Sequence, residues 1–137
     1  MIKKIRQALE VALNTWASAQ SPAVPVAWQN RAYVPTLGAR YVQANMLPAE
    51  TENPSLGDNH RRFVGIFQVL IYAPDNKGAG DAETLAESLF TSFARGTSFT
   101  ASTVTVRVLD SPSVLPSFND NGWFVTPVSI RYQSDIY

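Results

Sequence analysis

The sequence contains no cysteine and only one histidine, and just 16% of its 137 residues are charged. Without cysteine, the chain has no disulfide framework, no thiolate metal site and no cysteine nucleophile. A single histidine, His60, excludes a metal site built from several histidines. Eleven basic and eleven acidic residues give a net charge of zero, which provides no long-range attraction to nucleic acid or anionic lipid. We therefore expect no cofactor, no metal, no membrane partner and no sequence-specific nucleic acid partner.

Long apolar runs are missing as well. The longest lie at residues 63–67 and 69–74, far below the ~20 residues that span a bilayer. Near the start, Arg6, Gln7 and Glu10 interrupt the apolar stretch that a signal peptide needs. We expect a soluble protein made in the cytoplasm.

Apolar residues nevertheless make up 45% of the chain, enough for a packed core. The length fits one domain, residues 1–137. Apolar residues recur at helical spacing near the start and predict a first helix over residues 2–16. A second helix is predicted over residues 81–95, with Asp81 as its cap, Arg95 in its last turn and Gly96 as its stop.

Alternating or continuous apolar patterns predict five strands, at residues 24–28, 40–46, 61–73, 103–108 and 123–132. Pro127 in the last strand indicates an edge position or a bulge. A polar, breaker-rich stretch at residues 47–60 is predicted to be an exposed loop. The fold class is α+β, a single domain with a largely antiparallel sheet of about five strands and two helices packed on it, in the order α-β-β-β-α-β-β.

The strand at residues 61–73 is apolar on both faces. Two helices cover one face of such a sheet, so the second face needs another cover. The sequence leaves two alternatives for what buries this second face: the loops of the chain itself, or a neighbouring copy of the protein.

Catalytic and metal-binding motifs are incomplete. His60 stands in the polar loop, and no G-x-S-x-G nucleophile turn is present. Glu50, Glu52 and Asp58 lie in the same loop, where carboxylates flanked by Pro and Gly are typical of a solvated loop. The turn at residues 76–81 matches neither glycine-rich phosphate motif. We therefore predict no catalytic, metal or cofactor-binding residue.

A resemblance to a known family is carried by the run at residues 47–63 (LPAETENPSLGDNHRRF), followed by GIFQV at residues 65–69 and YAP at residues 72–74. It continues in the helix at residues 80–93 and in GWFVTPVSI at residues 122–130. These segments resemble the tail terminator-like proteins of tailed bacteriophages. The resemblance implies a small α+β virion protein without enzymatic activity. It also implies a ring, typically of six copies, that caps the head-proximal end of the tail tube and stops its polymerisation.

The partners that the resemblance implies are other copies of the chain, the major tail tube protein and the head-tail connector. The implied location is the neck-proximal end of the virion tail, with assembly in the host cytoplasm. On such a ring, Arg61 and Arg62 lie close in sequence to Glu50, Glu52 and Asp58. These opposite charges predict that the loop pairs across neighbouring subunits or with the tube end.

Two other functions stay open from the sequence. A neck or head-closure adaptor of the same virion would share the size and the fold, and would leave tails of normal length but unattached when it is missing. A small hydrolase is the more distant alternative, and a cleft of perturbed acids around His60 would favour it.

Overall fold

The computed structural model describes residues 2–36, 38–54, 56, 59–76 and 78–137. Within these ranges the chain forms two α-helices and eight β-strands. In chain order they are α1 (Ile2–Ser18), β1 (Val26–Ala27), β2 (Tyr41–Pro48), β3 (Arg61–Pro74), α2 (Gly80–Ser92), β4 (Ser98–Ala101), β5 (Val104–Val108), β6 (Ser113–Val114), β7 (Phe118–Asp120) and β8 (Trp123–Ile136). Neither of these helices is long and apolar enough to cross a membrane.

All eight strands belong to one sheet, in the order β1-β2-β3-β8-β5-β4, and the short strands β6 and β7 each pair with β8. Only β1 runs parallel to its neighbour, β2. At the centre, β3 and β8 pair over 14 residues each, from Arg61 opposite Ile136 to Pro74 opposite Trp123. The α+β class and the largely antiparallel sheet are confirmed.

The number and order of strands differ from the prediction of five in the order α-β-β-β-α-β-β. The predicted strand at residues 24–28 is reduced to Val26–Ala27. The extra strands β4, β6 and β7 have two to four residues each, and β6 and β7 lie in a stretch predicted as a loop. Segments this short carry too few residues to show a period of two, so only the neighbouring strand defines them.

Both helices pack on the same face of the sheet, as predicted. Their buried side chains join one core with alternate residues of the long strands. In β3 these are Phe67, Val69 and Ile71, all fully buried. The Trp16 indole N–H donates a hydrogen bond to Ser88 Oγ (2.9 Å), which ties α1 to α2.

The ends of α2 were predicted incorrectly. Ala79 occupies the N-cap position without a side-chain cap, and Asp81 lies inside the first turn. The helix ends at Ser92, and the C-cap residue Phe93 has left the helical conformation (φ −116°, ψ 40°). Its side chain is fully buried near Phe67 and Phe99 (ring centroids 6.2 and 5.3 Å apart). Arg95 and Gly96 therefore lie beyond the helix.

Pro127 does not mark an edge, because β8 lies between β3 and β5. Its carbonyl accepts a hydrogen bond from the Leu115 N–H (2.9 Å), so its backbone faces the side occupied by β6 and β7. Residue 115 follows the last residue of β6, and β7 begins at Phe118. Pro127 thus lies where β6 has ended and β7 has not begun, so its missing N–H interrupts neither of these short strands.

Candidate functional site

The face of the sheet opposite the helices carries an apolar surface. In β3, Ile66 and Leu70 point to this face and are half-buried. Leu47 lies opposite Ile66 and is 46% exposed, and Pro127 lies opposite Leu70. We call this surface the outer strip; its apolar members are Leu47, Ile66, Leu70, Leu115, Phe118 and Pro127. A polar row of Asn45, Gln68 and Ser129 crosses it between Ile66 and Leu70. Leu115 and Phe118 are 40% and 47% exposed.

Aromatic side chains cover one end of this face. Tyr41 stacks on Tyr72 with ring centroids 4.5 Å apart, and Trp123 meets Tyr41 edge-on at 5.1 Å. Tyr33, from the segment between β1 and β2, packs on Tyr41 at 5.0 Å. Burial raises the pKa of Tyr72 above its ordinary value. Here the chain provides its own cover, whereas the outer strip stays partly open.

A polar cluster is centred on Asp135 at the opposite end of β3. Asp135 Oδ1 accepts a hydrogen bond from Arg62 Nε and lies the same distance, 2.9 Å, from His60 Nε2. Its other oxygen accepts a hydrogen bond from Gln133 Nε2 (2.9 Å). The His60 ring stacks on Tyr137, with centroids 4.3 Å apart. The carboxylate thus fastens the end of the 49–60 loop to the last residues of the chain.

Charge and hydrogen bonding both act on Asp135. Partial burial alone would raise the pKa of this carboxyl, but the hydrogen bonds from Gln133, His60 and Arg62, together with the positive charge of Arg62, lower it to about 2. Because the folded pKa lies below the ordinary value of 3.8, the ionised carboxylate stabilises the fold above that value.

We predict that Asp135→Asn lowers the free energy of unfolding at pH 7 by about 1–3 kcal/mol, because charge-assisted hydrogen bonds are lost. The difference between Asp135→Asn and the unmodified chain should shrink as the pH falls from about 4 to 2. Urea unfolding at several pH values measures it. The control is Asp110→Asn, which breaks the exposed pair with Arg131 (2.8 Å) and should cost less than about 1 kcal/mol. A difference independent of pH would contradict the role of Asp135.

The predicted loop residues fall into two groups. Arg62 is bound within its own chain, to Asp135 and to Glu52 (3.9 Å), and the backbones of Glu52 and Arg62 form an isolated bridge. Glu50 and Arg61 are exposed and take part in no ion pair within the described ranges. Asp58 lies outside the described residues.

The prediction of one exposed loop over residues 47–60 is wrong at both ends. Leu47 and Pro48 belong to β2, and His60 is buried. Sequence reasoning also missed Asp135 and Gln133, because no local pattern places them beside Arg62. The only available signal was the length of the two apolar strands, which permits full pairing of β3 with β8.

A Ser-His-Asp site would need a hydroxyl next to His60. His60 does have an acidic partner, Asp135, but in the part of the chain that the structure describes no serine or threonine hydroxyl is hydrogen-bonded to it. In the same part, no three His, Cys, Asp or Glu side chains are grouped to hold a metal ion. The contacts that the cluster does make, from His60 and Arg62 to Asp135, hold the end of the 49–60 loop against β8.

One comparison with known proteins identifies a family. The profile of the family described as "Phage tail terminator protein" matches residues 4–132. Among solved structures, four chains match. One of them is 32% identical to this chain and superposes with a TM-score of 0.82, covering 97% of this chain and 94% of its own. None of the curated proteins matches.

Proposed function

The chain belongs to the phage tail terminator family, a structural family of the phage tail, and from this premise we propose that it caps the head-proximal end of the tail tube as a ring. The ring would consist of copies of this chain, six in number, and would stop polymerisation of the tube. The major tail tube protein and the head-tail connector are its proposed partners. The protein is a component of the virion tail, and we propose that it assembles in the host cytoplasm.

The observation that carries the proposal is the outer strip. Its three most exposed members, Leu47, Leu115 and Phe118, are large apolar side chains on one sheet face. Several large apolar side chains exposed on one sheet face are typical of an interaction site. A neighbouring subunit or the tube end would bury it, which accounts for the apolar pattern on both faces of β3.

The 49–60 loop and Arg61, the first residue of β3, supply a polar contact beside this surface. Glu50 and Arg61 are both exposed and have opposite charges. We propose that they meet the tube end, while Glu52 and Arg62 hold the loop in place from within the subunit. Asp58 belongs to the same proposed contact. Such exposed charge pairs are worth only about 0.2–1 kcal/mol each, but a ring repeats them in every subunit.

The test is a tube-length assay. Purified tail tube protein is polymerised with and without the chain, and tube lengths are measured by electron microscopy. We expect the unmodified chain to shorten the tubes, and Phe118→Asp to abolish this effect without loss of fold. The control is Val34→Asp, which changes a side chain that is 88% exposed and lies outside the outer strip.

Two results would overturn the proposal. Unchanged tube lengths in the presence of the unmodified chain would show that it does not cap tubes. Tails of normal length that fail to join heads when the chain is missing would instead assign it to the neck, as an adaptor.

A further inference from the structure

We propose that two copies of the chain join through the open edge of β4, each adding this strand to the sheet of the other in antiparallel pairing. The contact has two-fold symmetry, with Phe99 of one copy opposite Phe99 of the other. A contact of this kind joins two copies and then closes, so it is distinct from an interface that repeats around a ring. The inference therefore goes beyond the proposed function and does not depend on it.

The strand β4 lies at an edge of the sheet. It ends the order β1-β2-β3-β8-β5-β4 and, within the described ranges, pairs only with β5. The strand at the other end of this order, β1, has two residues and directly follows Pro25. The four residues of β4 include no proline and no charged side chain. Proline and charge are common protections of an edge against pairing with another chain, and β4 has neither.

The turn between β4 and β5 decides which backbone groups of β4 are free. A turn of two residues joins the strands, and Ala101 lies opposite Val104. Residues that flank such a turn exchange both hydrogen bonds, and the exchange recurs at every second residue. Phe99 therefore bonds to β5, whereas the N–H and C=O groups of Ser98 and Thr100 point to the open edge.

These free groups complement those of a second β4. When Thr100 of one copy lies opposite Ser98 of the other, each such pair exchanges both of its main-chain hydrogen bonds. Phe99 then lies on the two-fold axis, opposite its own counterpart. A two-fold contact needs a surface that complements itself, and a phenylalanine between two hydroxyl side chains meets this condition. The strand that fits this edge is therefore another β4.

A groove of about 820 Å³ borders the same edge and is the second observation. Its lining comes from α1, α2 and the β4–β5 hairpin and includes Val11, Ala12 and Phe99. Val11 is a large apolar side chain that is 59% exposed. Phe99 packs beside Phe93 on the helix-covered face of the sheet. Directly opposite residues of an antiparallel pair share a face, so Phe99 of the second copy would enter this groove.

A second copy accounts for the open edge and for the groove at once. Each copy supplies one edge and one groove, so a single contact satisfies both edges and covers Val11 in both copies. The contact follows only about 13 Å of strand, and its total area lies below about 1,200 Å². Interfaces of that size are typical of weak, reversible association. The dimer should therefore form only at high protein concentration.

The first experiment tests the register of the two strands. The chain has no cysteine, so introduced thiols report this contact alone. One variant is Ser98→Cys and the other is Thr100→Cys, both at exposed positions. Mixed in oxidised glutathione, they should form a disulfide between copies, because the Cα atoms of a hydrogen-bonded pair lie about 5.5 Å apart. Either variant alone should cross-link about tenfold less, because identical positions lie about 8 Å apart.

The second experiment removes one main-chain donor. Sedimentation equilibrium up to about 1 mM gives the dissociation constant of the dimer. Thr100→Pro deletes an N–H that points to the open edge, so the dissociation constant should rise about tenfold or more. Thr100→Ala is the matched control and should stay within about threefold of the unmodified chain, because it keeps the N–H. Both variants lose the hydroxyl contact with Thr105 (3.4 Å), so their difference reports the main chain.

A third variant tests the groove and leaves the strand intact. Val11→Asp places a carboxylate where the second copy excludes water, so the dissociation constant should rise about tenfold or more. The control is Val34→Asp, because Val34 is 88% exposed and does not line the groove. Thermal melting checks that every variant folds.

Each outcome decides the proposal. Cross-linking that needs both thiol variants, with a dimer weakened by Thr100→Pro and by Val11→Asp, supports it. Equal cross-linking by one thiol variant alone overturns it, as does the absence of a dimer up to about 1 mM. A dimer that Thr100→Pro or Val11→Asp leaves unchanged also overturns it.

The tube-length assay separates this proposal from the proposed function. Thr100→Pro should still shorten tail tubes, because the dimer contact is not the capping contact. If folded Thr100→Pro fails to shorten tubes while the unmodified chain shortens them, the β4 edge belongs to the ring or to the tube contact, and the dimer proposal is wrong. An unmodified chain that dimerises through β4 but does not shorten tubes contradicts the proposed function alone.

Discussion

Replacing Phe67 by alanine should lower the free energy of unfolding by about 3–5 kcal/mol. Phe67 lies in the middle of β3, is fully buried and packs near Phe93 with ring centroids 6.2 Å apart. Its removal leaves a cavity between the sheet and the helices that the rigid β3–β8 pair cannot fill by collapsing. Urea unfolding of the isolated chain measures the loss.

Leu70→Ala is the matched control on the same strand. Leu70 points to the outer strip and is only half-buried in one chain, so its removal should cost clearly less than that of Phe67. If the strip is covered in the ring, Leu70→Ala should weaken assembly more than it weakens the fold. Equal losses for the two variants in the isolated chain would contradict the assignment of the two faces.

Gly65→Ala should also be strongly destabilising, by about 1–3 kcal/mol or more. A Cβ at position 65 would lie 2.6 Å from the Leu47 carbonyl oxygen and 2.6 Å from the Tyr132 hydroxyl. The first neighbour is backbone of the paired strand, so it moves only if the β2–β3 pairing shifts. Thermal melting gives the sign and the size of the effect.

Two further variants show how much of the loss comes from each close contact of the added Cβ, with the Leu47 carbonyl or with the Tyr132 hydroxyl. The Tyr132 hydroxyl is buried without a hydrogen-bond partner among the described residues, so Tyr132→Phe should be neutral or stabilising. Combined with Gly65→Ala, it should recover only part of the loss, because the Leu47 carbonyl remains. The control is Gly80→Ala at the start of α2, where a Cβ meets nothing within 4 Å. If Gly65→Ala leaves the thermal melting unchanged, β2 and β3 are less tightly paired at position 65 than the structure shows.

The interaction surfaces were only partly accessible from the sequence. The apolar pattern on both faces of β3 predicted that something must cover the second face, and the outer strip is the part that the chain leaves open. The loop charges were read as one exposed group. The structure separates Arg62 from this group, because its side chain donates a hydrogen bond to Asp135, which lies 73 positions later in the sequence.

The sequence by itself determined the two helices, the long strands β3 and β8, the single α+β domain and the family. Those features depend on periodicity over ten or more residues, or on runs of specific residues, and both are local properties of the chain. Only the tertiary structure decided the ends of α2, the strands β4, β6 and β7, the place of Pro127 and the partners of Asp135. Each of these depends on which distant strand lies alongside, because short segments and single side chains gain their hydrogen bonds and burial from neighbours that local sequence does not specify.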